Sequence, residues 1–117
     1  MNDLVFVSVP YSENNEKGIH LSIMAEQYIK NKLNRVPISP LLFFDKVFNE
    51  NYEESIDACK VIISKCSSIL IVNTGKLSKG QKIDFEFAKQ NNIPYILISE
   101  KELNFLFIRN KANKKNN

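Results

Sequence analysis

The stretch Ser78-Lys79-Gly80-Gln81-Lys82-Ile83-Asp84-Phe85-Glu86-Phe87-Ala88 holds the residues best suited to chemistry. A serine followed three residues later by glutamine fits a capping box, in which the two side chains satisfy free N–H groups at a helix start. The same N-terminus can seat an anion, because its N–H groups and dipole favour negative charge, and Gly80 would let a ligand approach closely. Two acids follow. Asp84 and Glu86 lie two residues apart, so on a helix they point about 200° from each other, and only one can face a cleft. Asp84 shares a face with Gln81 and Ala88, and the small Ala88 suits a close helix–sheet contact. A carboxylate there would stand above the ends of a parallel sheet, where open α/β sheets bind ligands.

Such an acid is useful only if the rest of the chain builds that sheet. Leu4-Val5-Phe6-Val7-Ser8-Val9 is a short apolar run and reads as a first strand buried on both faces, ended by Pro10. Residues Tyr11 to Gly18 are polar and read as a loop. Ile19 to Leu33 carries Leu21, Met24, Ala25, Tyr28 and Ile29 at helical spacing. Val36-Pro37-Ile38 reads as a brief second strand, and Leu41 to Phe48 as an aromatic-rich connection. Asn51-Tyr52-Glu53-Glu54 resembles a capping box opening a helix with Ile56, Cys59, Ile63 and Cys66 on one face. Ser68 to Val72 is the third strand, and it runs into the Ser78 segment. Asn91-Asn92 ends that helix, and Ile93 to Ile98 forms the next strand. Periodicity leaves Leu103 to Ile108 open between a fifth strand and a short helix.

Alternating strands and helices predict an α/β fold, a single flavodoxin- or Rossmann-like three-layer domain. Its sheet is expected to hold four or five parallel strands in the order 2-1-3-4(-5), with a crevice between the C-terminal ends of strands one and three. The crevice would then be lined by Ser8, Pro10 and Tyr11 from one side and by Asn73, Ser78 and Gly80 from the other.

With 117 residues the chain suits one domain, expected over 1–109, followed by a disordered Lys/Asn-rich tail at 110–117. The net charge of +3 resides in that tail, which has three lysines and no acid, leaving 13 basic and 13 acidic residues in the body. A neutral body argues against a nucleic-acid-binding face. No apolar run approaches the roughly 20 residues that span a bilayer, and the first residues lack the pattern of a signal peptide, so a cytoplasmic protein is expected. Cys59 and Cys66 would lie about 10 Å apart along a helix, too far for a disulfide. With one histidine and no Cys/His cluster no metal site is expected, and no cofactor loop of the Walker or G-x-G-x-x-G type is present.

Taken in order, four pieces of the chain resemble the nucleoside 2-deoxyribosyltransferase-like superfamily. They are Val5-Phe6-Val7-Ser8-Val9-Pro10-Tyr11, Ile38-Ser39-Pro40-Leu41-Leu42-Phe43, the run from Ile63 to Val72, and Ser78-x-Gly80-x-x-x-Asp84-x-x-x-Ala88. The resemblance implies N-glycosidic bond chemistry on a nucleoside or nucleotide, by transfer or hydrolysis. It implies Asp84 as the carboxylate nucleophile, Ser78 and Gly80 as contacts to a 5′-phosphate, and Pro10 and Tyr11 in the sugar or base pocket. It also implies a homo-oligomer, with which the apolar segments Leu41 to Phe48 and Leu103 to Ile108 are compatible. The family's carboxylate is usually glutamate, and Asp84 is one methylene shorter. That departure points to the alternative of a non-catalytic nucleotide-binding sensor or sequestering protein. Phe6-Val7-Ser8 and the Ser78-to-Asp84 spacing also resemble TIR domains, which implies NAD hydrolysis as a further alternative.

Overall fold

The computed structural model describes residues 3–10, 16–44 and 52–115. Their elements run β1 (Leu4–Ser8), α1 (Glu16–Asn31), β2 (Val36–Ile38), α2 (Leu41–Phe44), α3 (Tyr52–Ser64), β3 (Ser68–Asn73), α4 (Lys79–Gln90), β4 (Tyr95–Ser99) and α5 (Glu100–Lys115). The four strands form one sheet in the order β2-β1-β3-β4. Every pairing is parallel, with Ser8 beside Ile71 and Asn73 beside Ser99. The α/β class, the parallel sheet and the order 2-1-3-4 are therefore as the strand–helix alternation predicts.

The sheet divides the core in two. Strand side chains alternate between faces. Val5, Val7, Leu70, Val72 and Ile98 meet Leu21, Met24, Ala25 and Ile29 of α1 and Leu103 of α5. Phe6, Ile69 and Ile71 meet Ile63, Cys66 and Ala88 on the other face, where α3 and α4 lie. Both faces of β1 and β3 are covered, which is why these strands read as unbroken apolar runs rather than alternating ones.

Several elements depart from the sequence reading. Helix α1 begins at Glu16, so Glu16, Lys17 and Gly18 are helical rather than loop. An acid in the first turn favours that start, and the small Gly18 allows a close approach of neighbouring atoms. A Cβ there would lie 2.7 Å from Leu41 Cδ2 and 3.3 Å from the Pro10 carbonyl oxygen. The first four residues of the expected connection, Leu41–Phe44, form the short helix α2. Cys66 lies beyond the end of α3, although it is buried in the same cluster as Cys59, and both are free thiols.

No fifth strand joins the sheet among the described residues. Leu103 to Ile108 is part of α5, because Leu103, Leu106 and Phe107 share one helix face against α1 and the sheet. That helix continues to Lys115, through most of the segment expected to be a disordered tail. Asn110 to Lys115 contains neither glycine nor proline, so nothing local stops a helix already nucleated by packing. The expected cap at Asn51 lies outside the described residues. No described helix is long and apolar enough to cross a membrane.

Candidate functional site at the end of β1

Parallel pairing brings the C-terminal ends of β1 and β3 together, and α4 starts above them. The turn between β3 and α4 is held by Asn73, whose Oδ1 accepts from the Gly75 N–H at 3.0 Å. Gly75 has φ +125°, a conformation open mainly to glycine. Ser78 then caps α4 in a complete capping box. Its hydroxyl accepts from the Gln81 N–H at 3.2 Å, and its own N–H donates to Gln81 Oε1 at 3.0 Å. The far end of α4 is closed as firmly. Asn92 adopts φ 56°, and the Ile93 N–H reaches back to the Ala88 carbonyl at 2.8 Å, the pattern of a Schellman motif.

Gln81 does more than cap. Its side chain is 1% exposed. Its Nε2 donates to the Ser8 carbonyl at 3.1 Å and to the Val72 carbonyl at 2.6 Å. One amide thus ties the last turns of the backbone in β1 and β3 to the first turn of α4. Both of its N–H donors and its carbonyl oxygen thus have partners, so α4 cannot rotate without leaving buried carbonyls unpaired.

That anchoring aims Asp84, one turn further on, at the end of β1. Asp84 Oδ2 accepts from the Ser8 hydroxyl at 3.0 Å. The two residues are 76 positions apart in the chain. Glu86 faces the other way and pairs with Lys89 at 2.9 Å on the exposed side of the helix. The choice between the two acids therefore follows the helical rotation.

The surroundings make Asp84 unusual. Burial pushes its carboxyl up to about 7, while the Ser8 hydroxyl and the positive charge of Lys60 pull the other way. Desolvation of the charged form outweighs both stabilising partners. Cys59 responds to the same environment. Burial first, and the negative charge of Asp84 second, push its thiol up to about 12. A carboxyl near neutrality can hold or give up its proton at the operating pH of a cell, as general acids, bases and carboxylate nucleophiles require.

Ser8, Asn73, Ser78, Gly80 and Asp84 thus come together where β1 and β3 end and α4 begins. Pro10 sits instead against the first turn of α1, beside Gly18. Tyr11 lies outside the described residues. Lys60, in α3, has no motif or spacing that connects it to Asp84, and Cys59 reads in the sequence only as a core residue. Their proximity to Asp84 depends on α3 packing beside α4. A shallow groove lined by Tyr28, Asn31, Lys32, Leu106 and Phe107 lies between α1 and α5, on the other face of the sheet from Asp84. Among the described residues no group of three or more histidine, cysteine or acidic side chains could hold a metal ion.

One family model matches residues 3–98, from the start of β1 to β4. The chain belongs to that family, the domain of unknown function DUF7768. The matched span contains every residue of the site just described. No curated protein and no solved structure matches the chain.

Proposed function

We propose that this protein acts on the N-glycosidic bond of a nucleoside or nucleotide, with Asp84 as the reacting carboxyl. The observation that carries the reading is the Ser8–Asp84 pair at the C-terminal end of the sheet, with the carboxyl pushed by burial to about 7. In the deprotonated form, Asp84 attacks the anomeric carbon, the C–N bond breaks, and the base leaves with the bonding electrons and takes up a proton. A glycosyl ester remains on Asp84. Water, or a second base, attacks the same carbon and regenerates the carboxylate. Ser8 is a positioning residue in this scheme: it holds Oδ2, so Oδ1 is the oxygen that reacts. The start of α4, with Ser78 and Gly80, would seat a 5′-phosphate or another anionic group.

The test is base release from deoxynucleosides, their 5′-monophosphates and NAD, followed by chromatography. Release that disappears in Asp84→Ala supports the reading, and kcat/KM should rise with pH through about 7 as the nucleophile loses its proton. No release above the Asp84→Ala background sinks the enzyme. Release from NAD alone favours the TIR-like alternative.

A second reading is a nucleotide-binding protein without catalysis. It is favoured by the reach of Asp84, a short acid already engaged by Ser8. Near-attack geometry is sensitive to such a difference in arm length. A thermal-shift screen separates the two readings, because a ligand that binds the folded state raises the melting point whether or not it is cleaved.

A further inference from the structure

The two edges of the sheet are built differently. At one end, β2 is three residues long and contains Pro37. Short length and proline are devices that blunt an edge against further pairing. At the other end, β4 has five residues, Tyr-Ile-Leu-Ile-Ser, with no charge and no proline. Among the described residues nothing pairs with its outer edge.

Apolar surface borders that edge on both faces of the sheet. Tyr95 and Leu97 are each 50% exposed and share the face on which α4 lies, where the Tyr95 ring rests against Phe85 at 4.7 Å between centroids. On the opposite face stands α5. Its Phe107 meets His20 of α1 edge-on at 6.3 Å. Phe105, two residues earlier, is turned about 200° from Phe107. It therefore looks away from α1, toward the open edge, and is 61% exposed.

We propose that β4 pairs antiparallel with β4 of a second copy of this chain, making one continuous sheet across a two-fold axis. The second copy is singled out by how the patch matches itself. A two-fold through the middle of Tyr95–Ser99 passes Leu97. From there the strand rises two residues to Ser99, roughly 7 Å at 3.3 Å per residue. α5 returns over the same height in four to five residues at about 1.5 Å each, which brings the axis level with Asn104 and Phe105. Glu102 and Arg109 are both exposed and lie on the same side of α5 as Phe105. Their midpoint falls between Phe105 and Leu106. The axis that centres the strand pair thus also sets Glu102 against Arg109 of the other copy, with the two Phe105 rings between. An uncharged strand flanked by a self-complementary acid–base stripe is what an isologous contact needs.

The test is the mass of the full chain by sedimentation velocity and light scattering between about 10 and 100 µM. The wild-type chain is expected at twice 13.5 kDa. Leu97→Lys, which places two like charges at the axis, is expected to give the monomer. Arg109→Glu is expected to raise the dimer Kd at least tenfold, and Glu102→Arg combined with Arg109→Glu to restore it. Val61→Lys, at an exposed position on α3, should leave the mass unchanged. Far-UV circular dichroism checks that each variant is folded. Hydrogen exchange on the wild-type chain supplies a reading free of mutation, with the Tyr95–Ser99 amides protected when concentrated and exchanging faster on dilution. A monomer at 100 µM, a dimer indifferent to Leu97→Lys, a charge swap without rescue, or exchange in β4 that ignores concentration would each overturn the proposal.

Discussion

Replacing Asp84 with asparagine should make the protein more stable at alkaline pH, and the gain should vanish in acid. Asparagine keeps the shape of the protonated acid and can still accept from the Ser8 hydroxyl, but it carries no charge to desolvate. In the folded chain burial raises Asp84 from its ordinary 3.8 to about 7. The folded state therefore holds a proton that the unfolded state releases. The stability this confers is fully present below 3.8 and is lost as pH rises through 7. Between pH 5 and pH 8, linkage with those two values gives a change of roughly 2–3 kcal/mol from this one group. Urea unfolding of wild type and Asp84→Asn at matched pH isolates it, because every other titrating group cancels in the difference. The variant should exceed wild type by about 2–3 kcal/mol more at pH 8 than at pH 5. A difference flat to within about 0.5 kcal/mol across that range would refute the account of a destabilised, partly buried carboxylate.

Two further outcomes follow from the same packing. Gln81→Met preserves side-chain length and helix propensity but removes the bonds to the Ser8 and Val72 carbonyls and to the Ser78 N–H. A loss of about 3 kcal/mol is expected in urea unfolding, since each buried group left unpaired costs roughly 1–3 kcal/mol, and a loss below about 1 kcal/mol would contradict the clamp. Cys59 and Cys66, pushed by burial up to about 12 and about 11, should not react with a thiol reagent at pH 8 until the chain is unfolded. A thiol count in buffer and in denaturant checks this, and one fast equivalent in the native chain would contradict it.

Much of the architecture was legible in local pattern. β1 and β3 are short apolar runs because parallel strands are covered on both faces, and that signal survives without any structure. The capping box at Ser78 and Gln81 is a short-range motif, complete within four residues. The preference for Asp84 over Glu86 rests on helical rotation, which lets only one of them face the sheet, together with the resemblance of the Ser78-x-Gly80-x-x-x-Asp84 spacing, and the solvent-side pair of Glu86 with Lys89 agrees with it. α5 was less legible. A run such as Leu103 to Ile108 is apolar at nearly every position, so only docking of Leu103 on the core selects helix over strand.

What the amino-acid sequence determined by itself is the four strands, the helices α1, α3 and α4 and the parallel order, because these depend on contacts within a few residues or on chain connectivity. What only the tertiary structure decided is the character of Asp84. Its hydrogen bond comes from Ser8, 76 residues away. Its proton affinity comes from burial beneath neighbouring elements, tempered by Lys60 on α3. Gln81, which reads as a capping residue, is also the clamp between two strands. Desolvation and long-range hydrogen bonds have no periodicity in a sequence, and they arise only when the helices close over the sheet.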